Sequence, residues 1–221
     1  MLMHPEGYLE KAATACRERG VWLVLDEVMT GFGRTGPMFA WQKENIAPDV
    51  VSLAKGLTGG YLPVAATLTS QEIYEAFLGE YSELKTFFHG HSYTGNALGC
   101  AAGVASLQIF KTEDTLKKNE VLASMLARCA AKFWGHPNVG DVRQEGLICA
   151  IEVVRDFNSR ESFSFAERIG HRICEAARKH GLLTRPIGDV LVLMPPYCTT
   201  EDQLTRMVEA LWLALNEVLP A

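Results

Sequence analysis

Residues 21–36 read VWLVLDEVMTGFGRTG, and residues 47–60 read APDVVSLAKGLTGG. Each stretch contains a short apolar run without polar alternation, at residues 21–25 in the first and at residues 49–54 in the second. Such runs are typical of strands that are covered on both faces in a parallel sheet. The first run ends at Asp26 and Glu27, and the second ends at Lys55. The sequence therefore predicts two strands of an α/β layer, each followed by a charged residue.

The segments around these strands complete a two-part chain. Apolar residues at helical spacing predict a helix over residues 7–19, with Gly20 as its C-terminal cap. The other predicted elements are a strand at 63–68, helices at 95–111 and 113–134, strands at 140–144, 147–153 and 190–193, a helix near 164–180, and a last helix that a capping box opens at Thr200. We expect a first unit over residues 1–110, with a mostly parallel sheet flanked by helices. Residues 111–221 are expected to form a small α+β unit.

The composition is that of a globular protein. The chain has 221 residues, of which 48% are apolar and 21% are charged, so it can bury a core without a metal or a disulfide. Its 21 basic residues are scattered among 26 acidic ones, which argues against nucleic acid or an anionic membrane as a partner. The six cysteines form no CxxC pair, and no leader or membrane-spanning run is evident. These features predict a cytoplasmic protein with reduced cysteines.

Asp26 and Lys55 together suggest a specific chemistry. Alone, Asp26 could merely cap a turn, and Lys55 could merely be a solvated side chain. In an open α/β sheet, however, functional groups lie at the carboxyl ends of the strands. A carboxylate and an amine that face one crevice are what pyridoxal 5′-phosphate needs, since the amine forms a Schiff base and the carboxylate keeps the pyridine nitrogen protonated. We therefore predict a pyridoxal-phosphate site.

Two other patterns nearby are given simpler interpretations. Residues 31–36 match G-x-G-x-x-G, but Pro37 follows where a dinucleotide-binding loop needs the start of a helix, so we reject that match. His89 and His91 lack a carboxylate or thiolate at ligand spacing, so we expect loop hydrogen bonds rather than a metal.

The residues themselves resemble a known family. The run from Asp26 to Gly36, followed by APDVVSLAKGLTGG at residues 47–60, is similar to the cofactor signature of the class III aminotransferases. Further similarity lies in HGHSYTGN at residues 89–96, TRPIGD at 184–189 and MPPY at 194–197, and it covers essentially the whole chain. The resemblance implies a fold-type I pyridoxal-phosphate-dependent transferase and a homodimer.

The family pattern implies roles for the matching residues around the cofactor. Lys55 would be the catalytic lysine that links to the cofactor, and Asp26 would pair with the pyridine nitrogen. Ser92 falls where the family usually has a threonine that binds the cofactor phosphate of the partner subunit, and its hydroxyl can do the same. Gly90 and His91 would flank that phosphate and the substrate.

Two arginines match substrate-facing positions of the family. Arg185 would hold the carboxylate of the keto substrate, a role that suits a guanidinium group. Arg34 lies in the active-site loop, but the resemblance does not define its contact.

Within the family, the similarity is greatest to the branch that converts 8-amino-7-oxononanoate to 7,8-diaminononanoate in biotin biosynthesis. Adenosylmethionine and lysine both remain open as the amino donor. Another ω-aminotransferase activity and a non-catalytic truncated remnant are the alternatives. Family members are much longer, so we expect this chain to correspond to their C-terminal half. The strand at residues 21–25 would then lack neighbours and expose an apolar edge.

Overall fold

A computed structural model of the protein describes residues 1–220. The chain is mixed α/β and divides into two compact units. The first unit comprises residues 4–115, and the second comprises Met1–Met3 together with the chain from Leu116 onward.

The first unit contains three strands and three α-helices. They are α1 (Tyr8–Glu18), β1 (Val24–Asp26), β2 (Val50–Leu53), β3 (Ala66–Thr69), α2 (Gln71–Glu75) and α3 (Ala97–Thr112). Gly20 ends α1 as the sequence predicts: it takes φ +61°, and the backbone N–H of Val21 then donates to the carbonyl of Cys16 at 2.9 Å. Helix α2 is an addition that the sequence did not predict.

The three strands lie in the order β1-β2-β3. β1 and β2 are parallel, with Asp26 opposite Ser52. β3 runs antiparallel to β2, with Leu68 opposite Val51, a direction that the apolar pattern did not predict. The connection from β2 to β3 contains only a one-turn helix at Lys55–Leu57, whereas parallel neighbours usually need a crossover helix.

The first unit has a small apolar core. Its cluster of buried hydrophobic residues consists of Phe32, Val51 and Leu53. The strand predicted from residue 21 begins at Val24 and lies at the edge of the sheet, where Trp22 and Val24 are 58% and 60% exposed. The prediction that this strand is covered on both faces is wrong within residues 1–220. The exposed apolar edge that we also expected is present.

The second unit contains a four-stranded sheet and three long helices. Its elements are α4 (Thr115–Ala130), β4 (Val139–Glu145), β5 (Ile148–Val153), α5 (Ile169–Lys179), β6 (Pro186–Ile187), β7 (Val190–Leu193) and α6 (Glu201–Val218). The strand order is β4-β5-β7-β6, and every pair is antiparallel. The predicted capping box opens α6, since the backbone N–H of Gln203 donates to Thr200 Oγ1 at 3.2 Å and the N–H of Thr200 donates to Gln203 Oε1 at 2.9 Å.

The core of the second unit joins its sheet to its helices. Leu126 of α4, Ile151 of β5, Ile173 of α5 and Leu211 of α6 are all fully buried in one cluster. Burying such side chains stabilises the fold by about 1.5–3 kcal/mol each. This unit therefore has the large core that the first unit lacks.

His136 fastens the C-terminal end of α6 to the start of the second unit's sheet. Its Nε2 lies 3.0 Å from the carbonyl oxygen of Leu219, and its Nδ1 accepts the backbone N–H of Asn138 at 3.1 Å. The ring also meets the face of Trp212 edge-on, at 5.8 Å between centroids. Burial lowers the pKa of His136. The partners are satisfied by neutral imidazole with its proton on Nε2, because Nδ1 must accept.

We expect acid to destabilise the second unit through His136. The native pKa lies below the unfolded value of 6.5, so the unfolded chain binds the proton first. The contribution of His136 to the free energy of unfolding should therefore be fully present above pH 6.5, and it should decrease as the pH drops toward the lower native pKa. Denaturant unfolding followed by tryptophan fluorescence at pH 7, 6 and 5 measures this decrease. His136→Gln should show a shallower decrease, and an identical pH dependence in the variant would contradict the assignment.

Candidate active site

Asp26 and Lys55 lie at the carboxyl ends of two neighbouring parallel strands. Asp26 is the last residue of β1 and is paired with Ser52 of β2, and Lys55 comes directly after the end of β2 and Ala54. Asp26 Oδ1 accepts the backbone N–H of Val28 at 2.9 Å, which orients the carboxylate at the strand end. Both residues are exposed. The parallel register thus brings the predicted acid and amine to the same end of the sheet.

Lys55 occupies a fixed and unusual backbone conformation. Its φ is +45°, in the left-handed region that is unfavourable for a residue with a side chain. The turn is held by two backbone bonds, from the N–H of Leu57 to the carbonyl of Ala54 at 3.0 Å and from the N–H of Thr58 to the carbonyl of Lys55 at 3.2 Å. Ser106 Oγ of α3 adds a bond to the carbonyl of Gly56 at 3.2 Å. The lysine therefore starts from an anchored turn.

A loop from residue 27 to residue 41 packs against this turn. Phe32 lies in that loop, is 2% exposed and itself takes φ +60°. A Cβ placed on Gly56 would lie 2.8 Å from both Cβ and Cδ2 of Phe32, so only glycine fits beside this ring. Phe32 also meets Phe39 edge-on at 5.6 Å. The loop and the Lys55 turn are thus in direct contact.

Glu27 is the residue of this region that sequence reasoning missed. It is 2% exposed, although it follows the exposed Asp26 directly. Its Oε2 accepts Thr30 Oγ1 at 2.5 Å, and its Oε1 accepts the backbone N–H of Trp41 at 3.1 Å. The strand pleat alternates the two sides, so consecutive acids at a strand end face opposite ways. That alternation was the available signal.

The glycine-rich stretch within this loop lacks the helix that a dinucleotide-binding motif needs. Residues 28–39 form turns and bends, and no helix begins at the glycines. Arg34 lies half-buried in this loop, and Thr35 beside it is buried with no hydrogen-bond partner for its hydroxyl.

Gly90, His91 and Ser92 lie in an exposed turn before α3. His91 organises the turn: its backbone N–H donates to Thr94 Oγ1 at 3.0 Å, and its Nδ1 accepts the backbone N–H of Tyr93 at 3.1 Å. Loop hydrogen bonding is thus the role that the structure shows for this histidine. Among residues 1–220, no group of three histidine, cysteine or acidic side chains is placed to hold a metal.

Arg185 belongs to the second unit, whereas the other predicted site residues belong to the first. It is exposed and directly precedes β6. The neighbouring Thr184 is pinned to the sheet because its Oγ1 donates to the carbonyl of Val192 at 2.7 Å. Arg185 therefore lies exposed beside an ordered strand end.

The side chains of the first unit fit pyridoxal phosphate by their chemistry. The cofactor needs an amine that can attack its aldehyde and an anion beside its pyridine nitrogen, and Lys55 and Asp26 supply both at one end of the sheet.

All six cysteines are free thiols. Within the described chain, no helix is both long and apolar enough to span a membrane.

Comparison with known proteins gives consistent matches. Residues 1–215 match the family model described as aminotransferase class III. The chain is 50% identical over 217 residues to an adenosylmethionine-8-amino-7-oxononanoate aminotransferase of Anoxybacillus flavithermus, covering 98% of this chain and 48% of that protein. The protein of the same name from Geobacter sulfurreducens is 45% identical, with 99% and 48% covered.

Solved structures agree with these matches. A crystal structure of adenosylmethionine-8-amino-7-oxononanoate aminotransferase from Methanocaldococcus jannaschii superposes with a TM-score of 0.95 at 43% identity, covering 98% of this chain and 50% of that one. An (S)-enantioselective omega-transaminase from Thermomicrobium roseum gives 0.91 at 34% identity, covering 97% and 47%. The chain spans about half the length of the relatives it matches.

Gly56→Ala tests the contact between the loop and the Lys55 turn. The new methyl group would meet Phe32 at 2.8 Å, so we expect a loss of about 1–3 kcal/mol in the free energy of unfolding of the first unit. Gly103→Ala in α3 is the matched control, since a Cβ there has only ordinary contacts, from 3.6 Å outward. This substitution should raise the free energy of unfolding by about 0.5–1 kcal/mol. Denaturant titration measures both, and equal effects of the two substitutions would refute the tight fit.

Proposed function

The chain belongs to the class III aminotransferase family, and on that premise we propose that it supplies Lys55 and Asp26 to a pyridoxal-phosphate-dependent amino transfer. The observation that supports this most is the parallel pairing of β1 with β2, which sets Asp26 beside Ser52 and leaves Lys55 at the same sheet edge. Proteins of known name that match nearly the whole chain are aminotransferases.

In this proposal each residue has a defined task. When bound, pyridoxal phosphate supplies an electron sink that stabilises negative charge on the substrate carbon. The Asp26 carboxylate holds a proton at the pyridine nitrogen, and this strengthens that sink. Lys55 Nζ would hold the cofactor, and as a free amine it would move a proton to or from the substrate carbon as a general base and acid.

The remaining predicted residues would bind and orient. The Ser92 hydroxyl and His91 bind a phosphate across the subunit boundary, and Gly90 leaves room for it and for the substrate. Arg185 binds a substrate carboxylate with two parallel hydrogen bonds. Arg34, in the loop of residues 27–41, would bind the substrate. A homodimer is part of the proposal, because Ser92 would serve the partner's cofactor, and a cytoplasmic location is consistent with six free thiols.

We further propose 8-amino-7-oxononanoate as the amino acceptor and 7,8-diaminononanoate as the product. The support is that the Anoxybacillus and Geobacter relatives, at 50% and 45% identity, bear the name adenosylmethionine-8-amino-7-oxononanoate aminotransferase. Adenosylmethionine is the donor in that name, and lysine is the alternative donor.

A non-catalytic remnant is the second candidate. The observation that favours it is the small buried cluster of the first unit, which holds only Phe32, Val51 and Leu53 among the described residues. A unit with so little core can fail to hold a cofactor, because ordering the site costs conformational entropy that burial must offset.

Lys55→Ala distinguishes the two candidates. We expect the wild-type chain mixed with pyridoxal phosphate to gain a visible absorption band from the lysine-linked cofactor, and Lys55→Ala to lose it because the substitution removes the amine that follows β2. Lys111→Ala, which removes an exposed lysine of α3 in the same unit, is the control and should keep the band. Absence of any band in the wild-type chain at saturating cofactor would favour the remnant.

The substrate proposal requires an amino-transfer assay. The chain should be assayed alone and after co-production with the part of the Anoxybacillus relative that it does not cover, with 8-amino-7-oxononanoate and each donor in turn. We expect 7,8-diaminononanoate to form, and Arg185→Lys to lower kcat/KM by about 10- to 100-fold because lysine cannot bind a carboxylate through two parallel bonds. Product formation that is indifferent to Arg185→Lys would contradict the role of this arginine.

A further inference from the structure

Glu27 is a buried carboxylate that the proposed amino transfer does not use. It is 2% exposed and lies between Asp26 and the loop that covers the Lys55 turn. A carboxylate in such a position needs hydrogen-bond donors, because burying it without them is costly. Both of its oxygens have one: Thr30 Oγ1 at 2.5 Å and the backbone N–H of Trp41 at 3.1 Å.

These two bonds close the loop at both ends. Thr30 lies at the start of the glycine-rich stretch, and Trp41 follows its last turn. The carbonyl of Glu27 also accepts the N–H of Gly31 at 3.0 Å, and its own N–H donates to the carbonyl of Ser52 in β2 at 2.9 Å. Glu27 thus connects the loop to the strand that leads to Lys55.

The loop packs tightly against the Lys55 turn. Phe32, which lies between the two anchor points, fills the space beside Gly56 so closely that an added Cβ would be 2.8 Å away. Lys55 and Phe32 both hold left-handed backbone conformations, at φ +45° and +60°. Such conformations persist only where the surroundings impose them. Release of the loop would therefore release the strained turn.

We infer that Glu27 is a positioning residue: its carboxylate holds the loop of residues 27–41 closed, and through Phe32 this loop holds the Lys55 turn in its left-handed conformation. The inference rests on the proposed function for the role of Lys55. It adds that the second acid of the Asp26-Glu27 pair acts on the amine side of the site, through packing, and does not touch cofactor or substrate.

Two readouts test this coupling, and one of them needs no cofactor. The first is amide hydrogen exchange at Leu57 and Thr58, whose N–H groups close the Lys55 turn. The second is the rate at which the visible band forms when pyridoxal phosphate is added. Glu27→Ala removes both acceptors, and we expect about tenfold faster exchange at these two amides and about tenfold slower band formation. Glu27→Gln keeps an acceptor for the Trp41 N–H and should restore most of both.

Ser70→Ala is the control for a merely structural role. Ser70 caps α2 in the same unit, where its Oγ accepts the backbone N–H of Ile73 at 3.3 Å. Loss of this hydrogen bond should also destabilise the unit, but it should increase exchange mainly within α2, at Tyr74 and Ala76. Faster exchange at Leu57 and Thr58 in Ser70→Ala to the same extent as in Glu27→Ala would overturn the inference.

The remaining outcomes are also decisive. Wild-type exchange at Leu57 and Thr58 in Glu27→Ala would overturn the inference even if the visible band forms more slowly. A wild-type chain that shows no band refutes the proposed function, while the exchange comparison still decides whether Glu27 controls the turn. If Glu27→Ala does not fold, Thr30→Val removes only the hydrogen bond from Thr30 to Glu27. Exchange at Leu57 and Thr58 in Thr30→Val is then compared with the wild type instead.

Discussion

The parallel pairing of two short strands is the constraint on which the rest of the site depends. Because β1 and β2 run in the same direction with Asp26 opposite Ser52, the residues that follow them emerge at one edge. An antiparallel pairing would send Asp26 and Lys55 to opposite ends of the two strands. Everything proposed about amine and acid chemistry follows from this register, since it brings the two residues to the same end of the sheet.

The sequence was sufficient for the elements with strong local signals. The capping box at Thr200 and the glycine cap at Gly20 predicted helix ends that the structure confirms, because both depend on hydrogen bonds within a few residues. The acid and the amine were predicted because functional groups in α/β sheets lie at strand ends, and the structure has Asp26 at the end of β1 and Lys55 after the end of β2. The direction of β3 was not predictable, because an apolar run carries no information on which way its strand runs.

Glu27 is the residue near the strand ends that sequence reasoning missed. Two consecutive acids look alike in a sequence, yet one is exposed and the other is 2% exposed with two donors. The difference arises from the strand pleat and from a loop that returns to the strand 14 residues later. The same loop buries Phe32 against Gly56, a contact that depends on tertiary packing and not on either residue's neighbours. The expectation of a strand covered on both faces failed for a similar reason, since cover comes from other parts of a fold.

The two units differ in how far their own residues stabilise them, and this difference sets the central question. The second unit has a continuous core from α4 to α6, whereas the first unit buries only a small cluster. Whether that unit nevertheless presents a competent lysine is tested most directly by reductive trapping of pyridoxal phosphate on the chain, followed by peptide mapping. The account predicts that the phosphopyridoxyl group is found on Lys55 and that Asp26→Ala lowers its yield. Labelling spread evenly over surface lysines such as Lys85 and Lys111 would contradict it.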